Sequence, residues 1–297
     1  MLLKRIITAL VLASLIALAV FTLPTESFSF NFSLVIGLIT LLGAWEWTNL
    51  AGVTSPIKRV LFLLALILPM AGLHFWTQIL ELIAQATDWP DVRDYSGVLE
   101  WLVIPPVLFW ILVMILIRNA PTGMLNLKMK TRYKVFIGWF VLLSAWMFLS
   151  RLRAFYGPEM TMYFLVLIWA ADVAAYFTGK KWGKTKLAPE ISPGKTVAGM
   201  IGALIAGAIF AASFIGYYGY QDGFIWARIF DFILLSVLTV LISIYGDLFI
   251  SVVKRQCGAK DSGTLLPGHG GMLDRIDSLI AAIPFFYAGI VLIGLDL

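Results

Sequence analysis

Charge is what this sequence has least of. Lys, Arg, Asp and Glu make up 13% of its 297 residues, against 61% hydrophobic residues. A soluble domain carries roughly 25% charged residues. With a mean hydropathy of +0.92, most of the chain must sit in lipid or against other apolar helices. Cysteine is nearly absent too. The single Cys257 excludes a disulfide within the chain and a thiolate metal cluster. The two histidines, His74 and His269, do not combine with it in a number or spacing that suits zinc. No Ser-His-Asp or Cys-His arrangement is readable, so a covalent enzyme intermediate is not suggested. Low-complexity segments are missing, and no convincing internal repeat points towards a transporter.

What the chain does have is apolar length. Candidate spans lie roughly at 6–23, 31–51, 60–80, 98–117, 134–150, 160–178, 197–217, 229–250 and 277–295, each near the ~20 residues that a bilayer crossing needs. The first 23 residues resemble a signal peptide, with Lys4 and Arg5 before an apolar run. No small-residue cleavage site follows, so the run reads as a retained helix. With the N-terminus inside, all but Arg93, Arg151, Arg153 and Arg228 of the 22 Lys and Arg residues fall on inside segments. That bias obeys the positive-inside rule. It also explains the sequence pI of about 9.3 as membrane topology rather than nucleic-acid binding. The expected fold is an all-α polytopic membrane protein of about nine transmembrane helices, N-terminus cytoplasmic and C-terminus outside. Residues 1–150 hold five spans; residues 151–297 hold four, with the cytoplasmic loops that carry the chemistry.

Two inside loops stand apart. The first runs from Asp172 to Gly199. Asp172, Tyr176 and Gly179 are spaced i, i+4, i+7 and share one helix face. An acid within a span is costly and by default functional. Lys180, Lys181, Lys184 and Lys186 follow, a basic cluster that also suits topology or contact with anionic lipid. Then comes Ser192-Pro193-Gly194-Lys195-Thr196. Placed before a helix, it is expected to turn backbone N–H groups towards an anion, with Lys195 as a point charge and Ser192 as the cap.

The second loop runs from Ser243 to Ser278. It holds Asp247, Asp261, Asp274 and Asp277, four of the chain's 17 acids. Asp247, Ser251 and Lys254 again fall at i, i+4, i+7, and Lys254 and Arg255 end their helix, where cations complement the dipole. Gly258, Gly263, Gly268, Gly270 and Gly271 follow, and let backbone approach a ligand. Asp274 and Asp277 open the next span on one face, with Arg275 between them. Carboxylates from two adjacent helix ends, beside Lys and Arg, suit Mg2+ held together with substrate phosphates.

At these residues the sequence closely resembles the CDP-diacylglycerol synthase family, also called phosphatidate cytidylyltransferases. The family signature appears as Ser251, Lys254-Arg255, Lys260-Asp261, His269-Gly270-Gly271 and Asp274-Arg275-Ile276-Asp277. The Asp172 to Gly199 stretch, with Ser192-Pro193-Gly194-Lys195, resembles the family's second block. The first five spans match only in hydropathy. The resemblance implies a reaction of CTP with phosphatidate that yields CDP-diacylglycerol and pyrophosphate. It implies Mg2+ as cofactor, as one ion or two, and a homodimer embedded in membrane lipid. Asp247 and Asp274 take the place of metal-binding carboxylates, with Asp277 beside them. Lys195, Ser251, Lys254, Arg255, Asp261, His269 and Arg275 take catalytic positions. Asp172, Tyr176, Ser192, Gly194, Thr196, Lys260, Gly270 and Gly271 take substrate-binding ones. The site is expected on the cytoplasmic face of a bacterial inner membrane. The alternatives are a CTP-dependent kinase or cytidylyltransferase acting on another lipid and, in a different class, an ion-coupled transporter. A transporter's acids would cluster near the midplane, whereas these lie at helix ends.

Overall fold

Proline and glycine mark where the apolar runs start and turn. The computed structural model describes residues 14, 16–21, 28–222, 226–266 and 270–294. Seven of the helices it describes are long and apolar enough to cross a membrane. They are α1 (Phe28–Leu50), α2 (Pro56–His74), α3 (Ile104–Asn119, which with the short helix Val98–Trp101 before it makes the span Val98–Asn119), α4 (Thr131–Trp182), α5 (Val197–Asp222), α6 (Trp226–Gln256) and α7 (Leu273–Ile293). Prolines open α2 and α3, where the missing N–H would have had no helical partner. The expected run at 60–80 begins earlier, at Pro56, and stops at His74, because Phe75 leaves helical geometry. A separate amphipathic helix, Trp76–Thr87, follows it. The expected segment at 6–23 lies mostly outside the described residues, as does His269.

Helix α4 carries the fifth and sixth expected segments together. Its corner is Gly157, with φ 77° and ψ 179°, a conformation essentially reserved to glycine. Pro158 then starts a second arm. On the two arms, Phe148 and Phe164 each pack 5.2 Å from adjacent residues of α7, Tyr287 and Phe286. In an unbroken helix the two rings would stand about 24 Å apart, so the arms fold back on each other. The expected division at 150/151 falls within this helix, shortly before the corner.

Between helices in lipid, packing and hydrogen bonds do the work that water-driven burial does elsewhere. Three indole N–H groups tie α4 to the amino-terminal helices. Trp47 Nε1 donates to the Lys134 carbonyl at 2.8 Å, Trp146 Nε1 to Ser33 at 2.9 Å and Trp139 Nε1 to Ala65 at 2.8 Å. On the second arm Tyr163 is wrapped by Phe210, Phe214, Phe232 and Phe286. Its hydroxyl pairs with Ser236 Oγ at 2.7 Å. Between α4 and α5 lies a two-stranded antiparallel hairpin, β1 (Lys186–Ala188) and β2 (Ser192–Thr196), with Lys186 opposite Thr196 and Ala188 opposite Ser192.

Candidate active site

The hairpin closes over one end of the bundle, where α4, α5, α6 and α7 leave a cavity of about 680 Å³. Ligand sites commonly run from about 300 to 1,000 Å³. From α4 come Asp172, Tyr176 and Lys180; from the hairpin, Lys186, Gly194, Lys195 and Thr196; from α6, Asp247; from α7, Asp274, Arg275 and Asp277. Two loops far apart in sequence thus supply one cavity, with its carboxylates on the helices and its cations on the hairpin, α4 and α7.

The charges meet in a definite pattern. Lys195 Nζ lies 2.6 Å from Asp247 Oδ2 and donates to the Ile244 carbonyl at 3.2 Å. Ser251 Oγ donates to the other oxygen, Asp247 Oδ1, at 3.4 Å. Asp274 is fully engaged. Its Oδ1 takes Lys254 Nζ at 2.7 Å, and its Oδ2 takes the N–H groups of Ser262 at 2.9 Å and Gly271 at 3.0 Å. Asp277 is buried and accepts the Ser278 N–H at 2.8 Å. It feels Asp247 as a like charge and Lys195 and Lys254 as opposite charges. Among the described residues no three His, Cys, Asp or Glu side chains converge to hold an ion by themselves. A cation here would share Asp247 and Asp277 and complete its shell with phosphate or water oxygens, which fits Mg2+.

Several expected residues fall elsewhere. Ser192 is not the cap: it lies at the start of β2, and Thr196 Oγ1 accepts the Gly199 N–H at 3.1 Å at the start of α5. The stretch expected to cradle an anion at a helix N-terminus is therefore a strand, which offers Lys195 rather than a nest of amides. Lys254 is buried on Asp274 and does not line the cavity. Arg255 donates to the carbonyls of Ile191 at 3.4 Å and Ala259 at 3.2 Å, bracing the hairpin and its own loop. Ser251 reaches the cavity only through Asp247. Lys260 and Asp261 are exposed. Gly270, at φ 86°, and Gly271 shape the loop behind Asp274.

Lys180 and Lys186, read from the sequence only as members of a basic cluster, line the cavity. Glu46 was missed altogether. It sits on α1, 3% exposed, and reaches the loop and the start of α7. Its Oε2 accepts Ser262 Oγ at 2.7 Å and the Leu273 N–H at 2.9 Å, and its Oε1 accepts the Met272 N–H at 2.9 Å. A Cβ at Gly263 or Gly271 would overlap its carboxylate, so both glycines are there for close approach. The signal was available: an acid inside an apolar span is costly and needs a reason.

Fold and site together define a polytopic membrane protein with an acidic and basic cavity at one end of its helices, suited to phosphate groups and a divalent cation. Comparison with known proteins supplies the family. The model of the cytidylyltransferase family matches residues 3–293, and the chain belongs to that family. It is 36% identical over 294 residues to a phosphatidate cytidylyltransferase of Haemophilus influenzae, covering 96% of this chain and 97% of that one. It is 38% identical over 289 residues to the phosphatidate cytidylyltransferase of Pseudomonas aeruginosa, covering 97% and 96%. The phosphatidate cytidylyltransferase of Bacillus subtilis is 42% identical over 135 residues, 44% of this chain and 47% of that one.

Proposed function

We propose that this protein transfers CMP from CTP to phosphatidate, producing CDP-diacylglycerol and pyrophosphate. The observation that carries the reading is the cavity itself. It sets Asp172, Asp247 and Asp277 opposite Lys180, Lys186 and Lys195 at the end of membrane-crossing helices, where a lipid phosphate and a water-soluble nucleotide can meet. Relatives named phosphatidate cytidylyltransferase, similar over nearly the whole chain, support it.

A phosphate oxygen of the lipid attacks the α-phosphorus of CTP. The bond from that phosphorus to the bridging oxygen breaks, and pyrophosphate leaves with the electron pair. A phosphate monoester is already largely ionised near neutral pH, so the acceptor needs little general-base help. Catalysis of such a transfer is mostly positioning and charge neutralisation. Lys180, Lys186 and Lys195 offset the triphosphate charge on the hairpin side, and Arg275 does so from α7. Asp247 and Asp277 would hold Mg2+, which would supply neutralisation of phosphate charge. Asp274 keeps its oxygens for Lys254 and the loop.

Nine spans belong to this reading, with both arms of α4 crossing the membrane. So do a cytoplasmic N-terminus, an outer C-terminus and an active site facing the cytoplasm of a bacterial inner membrane. A homodimer belongs to it as well, and mass measurement in detergent decides that point. Purified protein in mixed micelles, supplied with phosphatidate, Mg2+ and CTP labelled at the α-phosphate, is expected to move label into lipid. A panel that replaces phosphatidate with a lipid alcohol or an isoprenoid phosphate tests the neighbouring activities. Absence of labelled lipid from phosphatidate, with product from another member of the panel, would overturn the assignment.

A further inference from the structure

We propose that Glu46 is a positioning residue that sets the metal affinity of the site from the far half of the chain. The inference rests on the reading above, that Asp247 and Asp277 hold a divalent cation. Glu46 and Asp274 divide the same two backbone segments between them. The Ser262 hydroxyl goes to Glu46 and its N–H to Asp274. At the start of α7, the Gly271 N–H goes to Asp274, and the Met272 and Leu273 N–H groups go to Glu46. The first amides of a helix have no partner within it. Glu46 satisfies two of them with a carboxylate at the positive end of the helix dipole. Asp277 rides on the first turns of this helix, so the seat of α7 against α1 fixes where its carboxylate stands relative to Asp247 on α6.

Chemistry makes Glu46 hard to replace. Both its oxygens accept, and every group facing them donates. A glutamine in its place must turn an NH2 towards Met272 N–H, or towards Ser262 Oγ and Leu273 N–H. Either way a donor meets a donor, and a hydrogen bond within a buried cluster is lost. The amino-terminal helices thereby enter the site without any of their side chains appearing among the cavity-lining residues.

The test compares wild type, Glu46→Gln, Ser262→Ala and Trp47→Phe in purified form. Each is titrated with Mn2+, followed by electron paramagnetic resonance, and with Mg2+ in the turnover assay. Glu46→Gln is expected to weaken metal binding by about tenfold, the lower end of what is usual for residues that orient metal ligands. The KM for CTP at saturating metal stays near the wild-type value. Ser262→Ala, which removes one donor to Glu46 and spares the N–H to Asp274, shifts metal binding the same way by a smaller factor. Trp47→Phe removes a hydrogen bond one residue away that leads to α4 instead, and leaves the metal curve in place. Superimposable metal curves for wild type and both site variants, or an equal shift in Trp47→Phe, overturn the inference while wild-type turnover stands. A wild type that neither binds Mn2+ nor turns over CTP overturns the metal reading and this inference with it.

Discussion

Lys195 on β2 and Asp247 on α6 meet at 2.6 Å, and this contact docks the hairpin onto the helix that carries the candidate metal carboxylate. The same ammonium bonds the Ile244 carbonyl one turn earlier. Both side chains are about three-quarters removed from solvent, so the pair is screened less than a surface pair. Each charge answers the other. In the proposed reaction, nucleotide phosphates would draw on Lys195 and leave Asp247 for the cation.

Lys195→Ala is therefore expected to lower kcat/KM for CTP by about 100-fold, the scale of removing a charged transition-state partner. Lys184→Ala, on an exposed residue that does not line the cavity, changes it less than about twofold, as surface substitutions usually do. Initial rates across a CTP series decide between them. Equal losses would make Lys195 one more topogenic lysine.

Asp247, Asp277 and Asp274 should separate by phenotype. Asp247→Asn and Asp277→Asn abolish labelled product and metal binding while the protein still inserts and folds. Asp274→Asn acts on stability first. Its partner Lys254 has a side chain only 10% exposed, and stranding one member of a buried pair costs about 3–5 kcal/mol. A lowered melting midpoint in detergent, measured beside turnover, checks this. A stable but inactive Asp274→Asn would return Asp274 to the metal site.

Removing metal should silence the enzyme reversibly. Chelation followed by Mg2+ is expected to restore turnover, and Ca2+ to restore little, because Mg2+ demands tighter octahedral geometry at shorter distance. Full activity after exhaustive chelation would remove the cation from the mechanism.

How much of this was legible beforehand differs by element. Apolar length located the helices, because a bilayer fixes the length of a crossing. Helical spacing put Asp172 beside Tyr176, and the cavity has both. The corner of α4 was visible as a gap between two runs, though not as one glycine in an extreme conformation. The hairpin was read as a helix lead-in, because a Ser-Pro-Gly-Lys-Thr run carries cap and phosphate signals and its strand pairing depends on Lys186 to Ala188. Lys254 takes a catalytic position in the family resemblance; its partner Asp274 is visible only in the packed α6 and α7. Glu46 is legible as an acid inside an apolar span, but what it touches is not. Its partners lie more than 200 positions away, and no local spacing reports a contact of that range.

The corner itself can be tested. Gly157→Ala places a Cβ where φ is 77°, and a residue held in such a region costs about 1–3 kcal/mol. The expected result is a lower melting midpoint with metal affinity and KM unchanged, since the corner lies at the bundle end opposite the cavity. A loss of metal binding in a fully folded variant would show that the corner communicates with the site.

Orientation has a natural reporter. Cys257, the chain's single cysteine, is exposed just past the end of α6, at the same end of the bundle as Lys254 and Asp274. A membrane-impermeant maleimide should therefore label it in inside-out vesicles and fail to do so in intact spheroplasts. Asp88→Cys, made in a Cys257→Ser background, should show the reverse, because Asp88 follows the short helix Trp76–Thr87 on the side that the charge bias places outside. The thiol suits this use, since it is exposed, makes a weak donation to the Lys254 carbonyl at 3.1 Å and does not line the cavity. Labelling of Cys257 from outside would invert the topology. It would also place the nucleotide site on a face where CTP is not supplied, so the proposed reaction and the proposed orientation stand or fall on the same measurement.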